Sequence, residues 1–148
     1  MTDAFGRFVA KTHILPIRVY YEDTDLSGLV YHANYLRYME RGRSEFFRAA
    51  GITRLAQLDL PVPTAWTLRR VRVDYHRPAR IDDLIEVHTR CRAISGARMT
   101  ADQSIHKNGE LLVEAEVEAC IITLSGKPRR IPDEIRAKLS ALLSGSAA

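Results

Sequence analysis

Three carboxylates fall within four residues of the stretch YYEDTDLSGLVYHANY: Glu22, Asp23 and Asp25. Ser27-Gly28, a short apolar run and His32 follow, and a helical pattern opens at Asn34. A carboxylate at that point can serve as a general base toward water or attack a carbonyl directly. The first backbone N–H groups of a helix lack internal partners, and the helix dipole adds positive charge to them. Such a helix mouth can hold an anion, or the oxyanion that forms when a carbonyl is attacked. Acid plus helix mouth is therefore the composition of an acyl-transfer site. The same residues also compose an ordinary turn, in which aspartate side chains bond nearby amides. A lone histidine is more often structural than catalytic. The local pattern leaves both readings open.

Metal binding has less support. The residues after Asp23 and Asp25 do not continue a calcium-loop pattern, and the five histidines lack zinc-like spacing. No metal and no cofactor are expected.

The elements that must carry this stretch can be read from periodicity. HILPIRVYY (13–21) alternates as a strand. NYLRYMERGRSEFFRAAG (34–51) places Tyr35, Tyr38, Met39, Gly42, Phe46 and Ala49/Ala50 on one helical face, with Asn34 as N-cap and Gly51 as stop. Gly42 costs roughly 1 kcal/mol in mid-helix against alanine. A close approach of helix to sheet would account for it. Four extended segments follow: TAWTLRRVRVDYH (64–76), DDLIEVHTRCRAI (82–94), ARMTADQSIHK (97–107) and ELLVEAEVEACIITL (110–124). Each sets an apolar face against a polar one, the mark of an antiparallel sheet covered on one side. Ser95-Gly96 and Asn108-Gly109 supply hairpin turns. Residues 1–12 read as a tail and 132–144 as a short C-terminal helix. The sum is one α+β domain over 1–148: a curved antiparallel sheet of about five strands wrapped round a long central helix.

The bulk composition is consistent with one globular core: 148 residues, 46% apolar and 27% charged. No apolar run is long enough to span a membrane, and the N-terminal residues lack a signal-peptide core, so a cytoplasmic protein without integral membrane contact is expected. Cys91 and Cys120 belong to no paired motif and read as free thiols. The formal charge is +4, but the arginines are scattered. That argues against nucleic acid and suits a phosphate-bearing small molecule.

YYEDTDLSGLVYHANYLRYMERGR, after a strand and opening a helix, resembles the signature of the 4-hydroxybenzoyl-CoA thioesterase-like family. It is most similar to the acyl-CoA thioesterase branch associated with the Tol–Pal envelope system. VRVDYHRPARIDDLIEV resembles the family's second recurrent segment, and the likeness runs over about residues 13–132. The resemblance implies the hotdog fold and hydrolysis of an acyl-CoA, with an acyl carrier protein as the alternative thiol carrier. It places the catalytic carboxylate on Asp25, an oxyanion-stabilising amide at or next to His32, a side-chain role on His32, and an orienting role on Tyr21. Asp23 reads as structural. It also implies a homodimer or homotetramer with sites at the subunit interface. Pocket walls would come from Leu58, Leu60, Val62, Pro63 and Trp66, and Arg77, Arg80 and Arg98 are candidates for the coenzyme A phosphates. Two other chemistries share the fold. A dehydratase would rely on His32, and a variant with its carboxylate on the helix would use Glu40 or Glu45. A subunit that binds acyl-CoA without catalysis is the reading from another class.

Overall fold

The computed structural model describes residues 3–52 and 56–144. Seven strands form one antiparallel sheet: β1 (Arg7–Val9), β2 (Thr12–Arg18), β3 (Ala56–Gln57), β4 (Thr64–Tyr75), β5 (Leu84–Ser95), β6 (Arg98–Lys107) and β7 (Glu110–Thr123). Their spatial order is β1-β2-β5-β6-β7-β4-β3. Five of them are long, as the alternation predicts, and β1 and β3 are short additions. Helix α1 (Asn34–Ala49) lies on one face, and α2 (Asp133–Ala141) closes one end. No described helix is long and apolar enough to cross a membrane.

Alternation decides which face each residue meets. Ile85, Val87, Thr89 and Cys91 of β5 are buried toward the helix, as are Met99, Ala101, Gln103 and Ile105 of β6 and Val113, Val117, Ala119 and Ile121 of β7. The opposite face is charged and largely self-paired. Arg92 meets Glu116 at 2.8 Å, Arg90 meets Asp102 at 3.2 Å, and Glu118 takes Arg69 at 3.0 Å and Arg98 at 3.2 Å. Such half-exposed pairs set register more than they add stability.

The buried face of α1 is Tyr35, Tyr38, Met39, Gly42, Phe46 and Phe47. Phe47 takes the place expected for Ala49, which is exposed. Asn34 is not the N-cap; Ala33 occupies that position in a helical conformation. The Asn34 amide is engaged elsewhere, donating to Asp23 Oδ1 at 2.7 Å. Gly42 is where the helix touches the sheet. A Cβ there would stand 2.7 Å from Val87 Cγ1, 3.0 Å from Thr89 Oγ1 and 3.1 Å from the Gln103 amide nitrogen. The cost of a mid-helix glycine is offset by that close contact. Gln103, polar on an apolar face, is satisfied there: its amide donates to Met39 O and Thr89 Oγ1, each at 2.9 Å.

Part of the segment expected as a tail is a strand. Arg7–Val9 pair with Thr12–Ile14 as a hairpin, and Phe8 packs edge-on against His13 and Phe46. The hairpin shields His13 from solvent, and that burial lowers the imidazole pKa. Cys91 and Cys120 are free thiols, and burial raises the Cys91 pKa to about 12.

Candidate active site

A short chain of backbone bonds builds the loop that carries Asp25. After β2 the chain makes one 3-10 turn at Tyr21–Asp23. Asp23 anchors it, accepting Tyr20 N–H at 2.8 Å and the Asn34 amide at 2.7 Å, which ties the loop to the start of α1. Asp25 N–H donates to Leu29 O at 3.0 Å, and Gly28 N–H to Asp25 O at 3.1 Å. Gly28 has φ of +78°, a conformation that favours glycine. Val30 N–H donates to Ala79 O at 2.9 Å, and Ile81 N–H to Gly28 O at 3.3 Å, so the far side of the loop is zipped to the segment before β5.

The Asp25 carboxylate is exposed and oriented from within its own turn. Ser27 N–H donates to Oδ1 at 2.8 Å, and the Ser27 hydroxyl makes a short hydrogen bond to the same oxygen. The hydroxyl, then the amide, hold the Asp25 pKa below the ordinary carboxylate range, and the His32 charge adds to this. Asp25 is therefore ionised at neutral pH.

His32 lies at the mouth of α1. Its ring contacts Tyr31, with centroids 4.5 Å apart, and meets the edge of Tyr75 at 6.5 Å. The Tyr75 hydroxyl donates to His32 O at 3.0 Å. No acceptor among the described residues meets the backbone N–H of His32. Asp25, Val30, His32, Tyr35, Tyr75 and Arg77 face a common cleft of 310 Å³. The arrangement brings an ionised carboxylate and a residue with a free N–H just ahead of the helix to one opening, the kinds of group that attack on a carbonyl requires.

The other predicted residues divide. Arg77 lines this cleft and also pairs with Glu110 at 3.3 Å. Arg80 bridges Leu29 through its backbone. Arg98 is elsewhere: it sits at the opposite end of β6 on the charged face, paired with Glu118. It is seven residues from Ile105, which aligns through β7 with Tyr75, or roughly 23 Å of strand. The Tyr21 side chain is 82% exposed and makes no hydrogen bond to Asp25. Ser27 performs the orienting role expected of Tyr21, because the Asp-Leu-Ser spacing lets a hydroxyl fold back on the carboxylate. Leu58, Leu60 and Val62 form an exposed apolar strip outside the Asp25 cleft, with Pro63 half-buried after it.

Trp66 lines a second cleft, of 450 Å³, between α1 and the β6–β7–β4 half of the sheet. It exists because α1 lies over β2 and β5 and leaves that half open. Glu40 stands at its rim, whereas Glu45 is ion-paired to Arg48. Neither helix acid faces the Asp25 cleft. Two residues that shape the Asp25 site were not legible beforehand. Ser27 carried a turn signal. Tyr75 carried only a strand pattern, and no local signal links it to His32.

Comparison with known proteins places the chain. A family model described as the thioesterase superfamily matches residues 27–114. A protein named acyl-CoA thioester hydrolase YbgC from Escherichia coli is 40% identical over 125 residues, covering 83% of this chain and 92% of its own. An acyl-CoA thioesterase YbgC from Haemophilus influenzae is 37% identical over 123 residues, covering 82% and 90%. A solved structure of a probable thioesterase from Bartonella henselae is 43% identical, with a TM-score of 0.77 over 82% of this chain and 99% of that one. The antiparallel sheet round a long helix is the hotdog architecture of these proteins, and the chain belongs to the thioesterase superfamily.

Proposed function

We propose that this protein hydrolyses an acyl-CoA thioester to the free acid and coenzyme A. The observation that carries the reading is an ionised Asp25 lining one cleft with His32, whose N–H is unpartnered, just ahead of a 16-residue helix. The relatives' names support the acyl-CoA class. The thioester carbonyl oxygen takes the His32 N–H, and the helix dipole favours the charge that develops there. One such donor is commonly worth ~3–4 kcal/mol in the transition state. Asp25 removes a proton from water as water adds to the carbonyl carbon, or attacks that carbon to give a mixed anhydride that water opens. Either way the C–S bond breaks, the sulfur leaves as thiolate and is protonated, and the acid is released. Tyr75 acts as a positioning residue, fixing the peptide that carries the donor. Arg77 lines the cleft, and the Arg80 backbone bridges Leu29 of its wall; coenzyme A phosphates would meet these arginines.

Free-thiol release from acyl-CoAs of graded length, aliphatic and aromatic, tests the reading. Release from some of them, abolished in Asp25→Asn, is the expected result. An enzyme that binds acyl-CoA and releases no thiol from any would be a binding subunit instead. Ser27→Ala provides a separate check. Removing the hydroxyl lets the Asp25 pKa rise toward its ordinary value, so protonation silences the base at higher pH. The acidic limb of the kcat/KM profile should move upward, and an unmoved limb would show that Asp25 is not the titrating group.

The same proposal includes a second copy of the chain. Beyond Ala65, the outer edge of β4 from Trp66 to Tyr75 has no strand partner among the described residues. An exposed edge of that length is a template for pairing. Pairing there would carry the strip of Leu58, Leu60 and Val62 toward the other copy's Asp25 loop. Light scattering should give a dimer or a multiple of it; a monomer at micromolar concentration would refute the assembly.

A further inference from the structure

The cleft between α1 and β4 is apolar in its walls and floor: Phe47, Trp66, Leu68, Met99, Ala101 and Ala119. Phe47 and Trp66 stack obliquely, with centroids 5.3 Å apart and planes 33° apart, and form an aromatic wall. Its volume falls in the range of small-molecule sites, roughly 300–1,000 Å³. Two features do not belong in a slot built only for a hydrocarbon chain.

The first is Arg43. Its guanidinium lines the cleft and donates to Gln103 Oε1 at 3.0 Å. A guanidinium has five N–H donors, and this bond uses one. No carboxylate among the described residues lies within ion-pair distance of Arg43. Glu40, one turn back, acts on it only through space, while burial disfavours its charge. A cation in a partly desolvated site without a counter-ion is costly unless something else supplies the anion. The second is the Trp66 indole N–H, which is buried and has no hydrogen-bond partner. Both groups are donors. The only carboxylate on the cleft, Glu40, is exposed at the rim, where solvent screens it.

A ligand that satisfies this cleft is apolar along its length and ends in an anionic acceptor. We propose that the cleft selects acyl groups with a terminal carboxylate, that is, monothioesters of dicarboxylic acids, with Arg43 and Trp66 as the specificity-determining residues. The inference rests on the thioesterase reading and on the pairing of two β4 edges proposed above. Within one chain Trp66 and Met99 lie at the end of the sheet opposite Tyr75, too far for a six-carbon chain. The thioester is therefore held at the other copy's Asp25 loop, which antiparallel pairing of the two edges brings beside this cleft. A guanidinium meets a carboxylate with two parallel N–H bonds, a match that a terminal methyl or hydroxyl cannot make. The aromatic wall and the alanine floor take the methylene chain between.

The test compares three six-carbon thioesters: hexanoyl-CoA, 6-hydroxyhexanoyl-CoA and adipoyl-CoA. Trp66 is the sole tryptophan, so its fluorescence reports this cleft directly. Titrations on the Asp25→Asn protein read binding without turnover, and thiol release reads kcat/KM on the wild type. Adipoyl-CoA is expected to bind and react roughly 10- to 100-fold better than hexanoyl-CoA, the scale of one charged hydrogen-bonding site. Introducing Arg43→Met should collapse that ratio, Arg43→Lys should keep part of it, and Trp66→Phe should reduce the kcat/KM ratio. Equal or better binding of hexanoyl-CoA would overturn the proposal. So would parity between 6-hydroxyhexanoyl-CoA and adipoyl-CoA, or a preference that survives Arg43→Met. If no thioester is hydrolysed but fluorescence still favours adipoyl-CoA, the hydrolase reading falls and the cleft assignment stands.

Discussion

Asp25→Asn should lower kcat/KM for thiol release by on the order of 10²–10⁴-fold, the usual contribution of a positioned general base. The substitution is nearly isosteric. An asparagine side-chain oxygen still accepts the Ser27 N–H that now reaches Oδ1 at 2.8 Å, so the turn keeps its shape. The loop's other fastenings, the Asp23 side chain on Tyr20 and Asn34 and backbone bonds to Leu29 and Ala79, do not involve the Asp25 carboxylate. Acyl-CoA binding should therefore persist while turnover is lost. Titration of the variant with a substrate, beside single-turnover thiol release, separates the two. A variant that turns over like wild type would move the base elsewhere. His32 would then be the next group to replace, because it shares the cleft. Glu40, at the rim of the other cleft, would follow it.

Phe46→Ala should cost about 3–5 kcal/mol of folding stability, the range for truncating a fully buried aromatic. Phe46 is wholly buried on the sheet-facing side of α1. Its ring meets Phe8 at 5.4 Å and Phe47 at 5.9 Å, both edge-on, and such pairs add about 0.5–1.5 kcal/mol beyond area burial. Truncation opens a cavity and also detaches the β1 hairpin that Phe8 fastens to the helix. Against a total stability of about 5–15 kcal/mol, that is a large share. Urea denaturation would show a much lower midpoint. A loss below about 1 kcal/mol would mean that the hairpin and helix repack around the gap.

The sequence by itself determined what depends on near neighbours. Period-two alternation in β5, β6 and β7 separates the buried face from the charged one because successive side chains on a strand point opposite ways. The stripe from Tyr35 to Phe46 settles which side of α1 is inside for the same kind of reason, and Gly42 marks the contact where no Cβ fits. The position of Asp25 in its loop, two residues before Ser27 and just ahead of a helix, is also local. Tertiary structure decided what depends on residues far apart in the chain. Tyr75 reaches His32 across 43 positions. Arg98 lies at the end of the sheet opposite Tyr75 although its spacing looks no different from that of Arg77. Arg7–Val9 become a strand only because Phe8 finds Phe46. The second cleft exists because α1 covers β2 and β5 while β4, earlier in sequence than β5, is inserted beyond β7. Pairing order and helix offset are properties of the whole packed sheet, since side-chain periodicity says which face a residue takes but not which strand lies beside it.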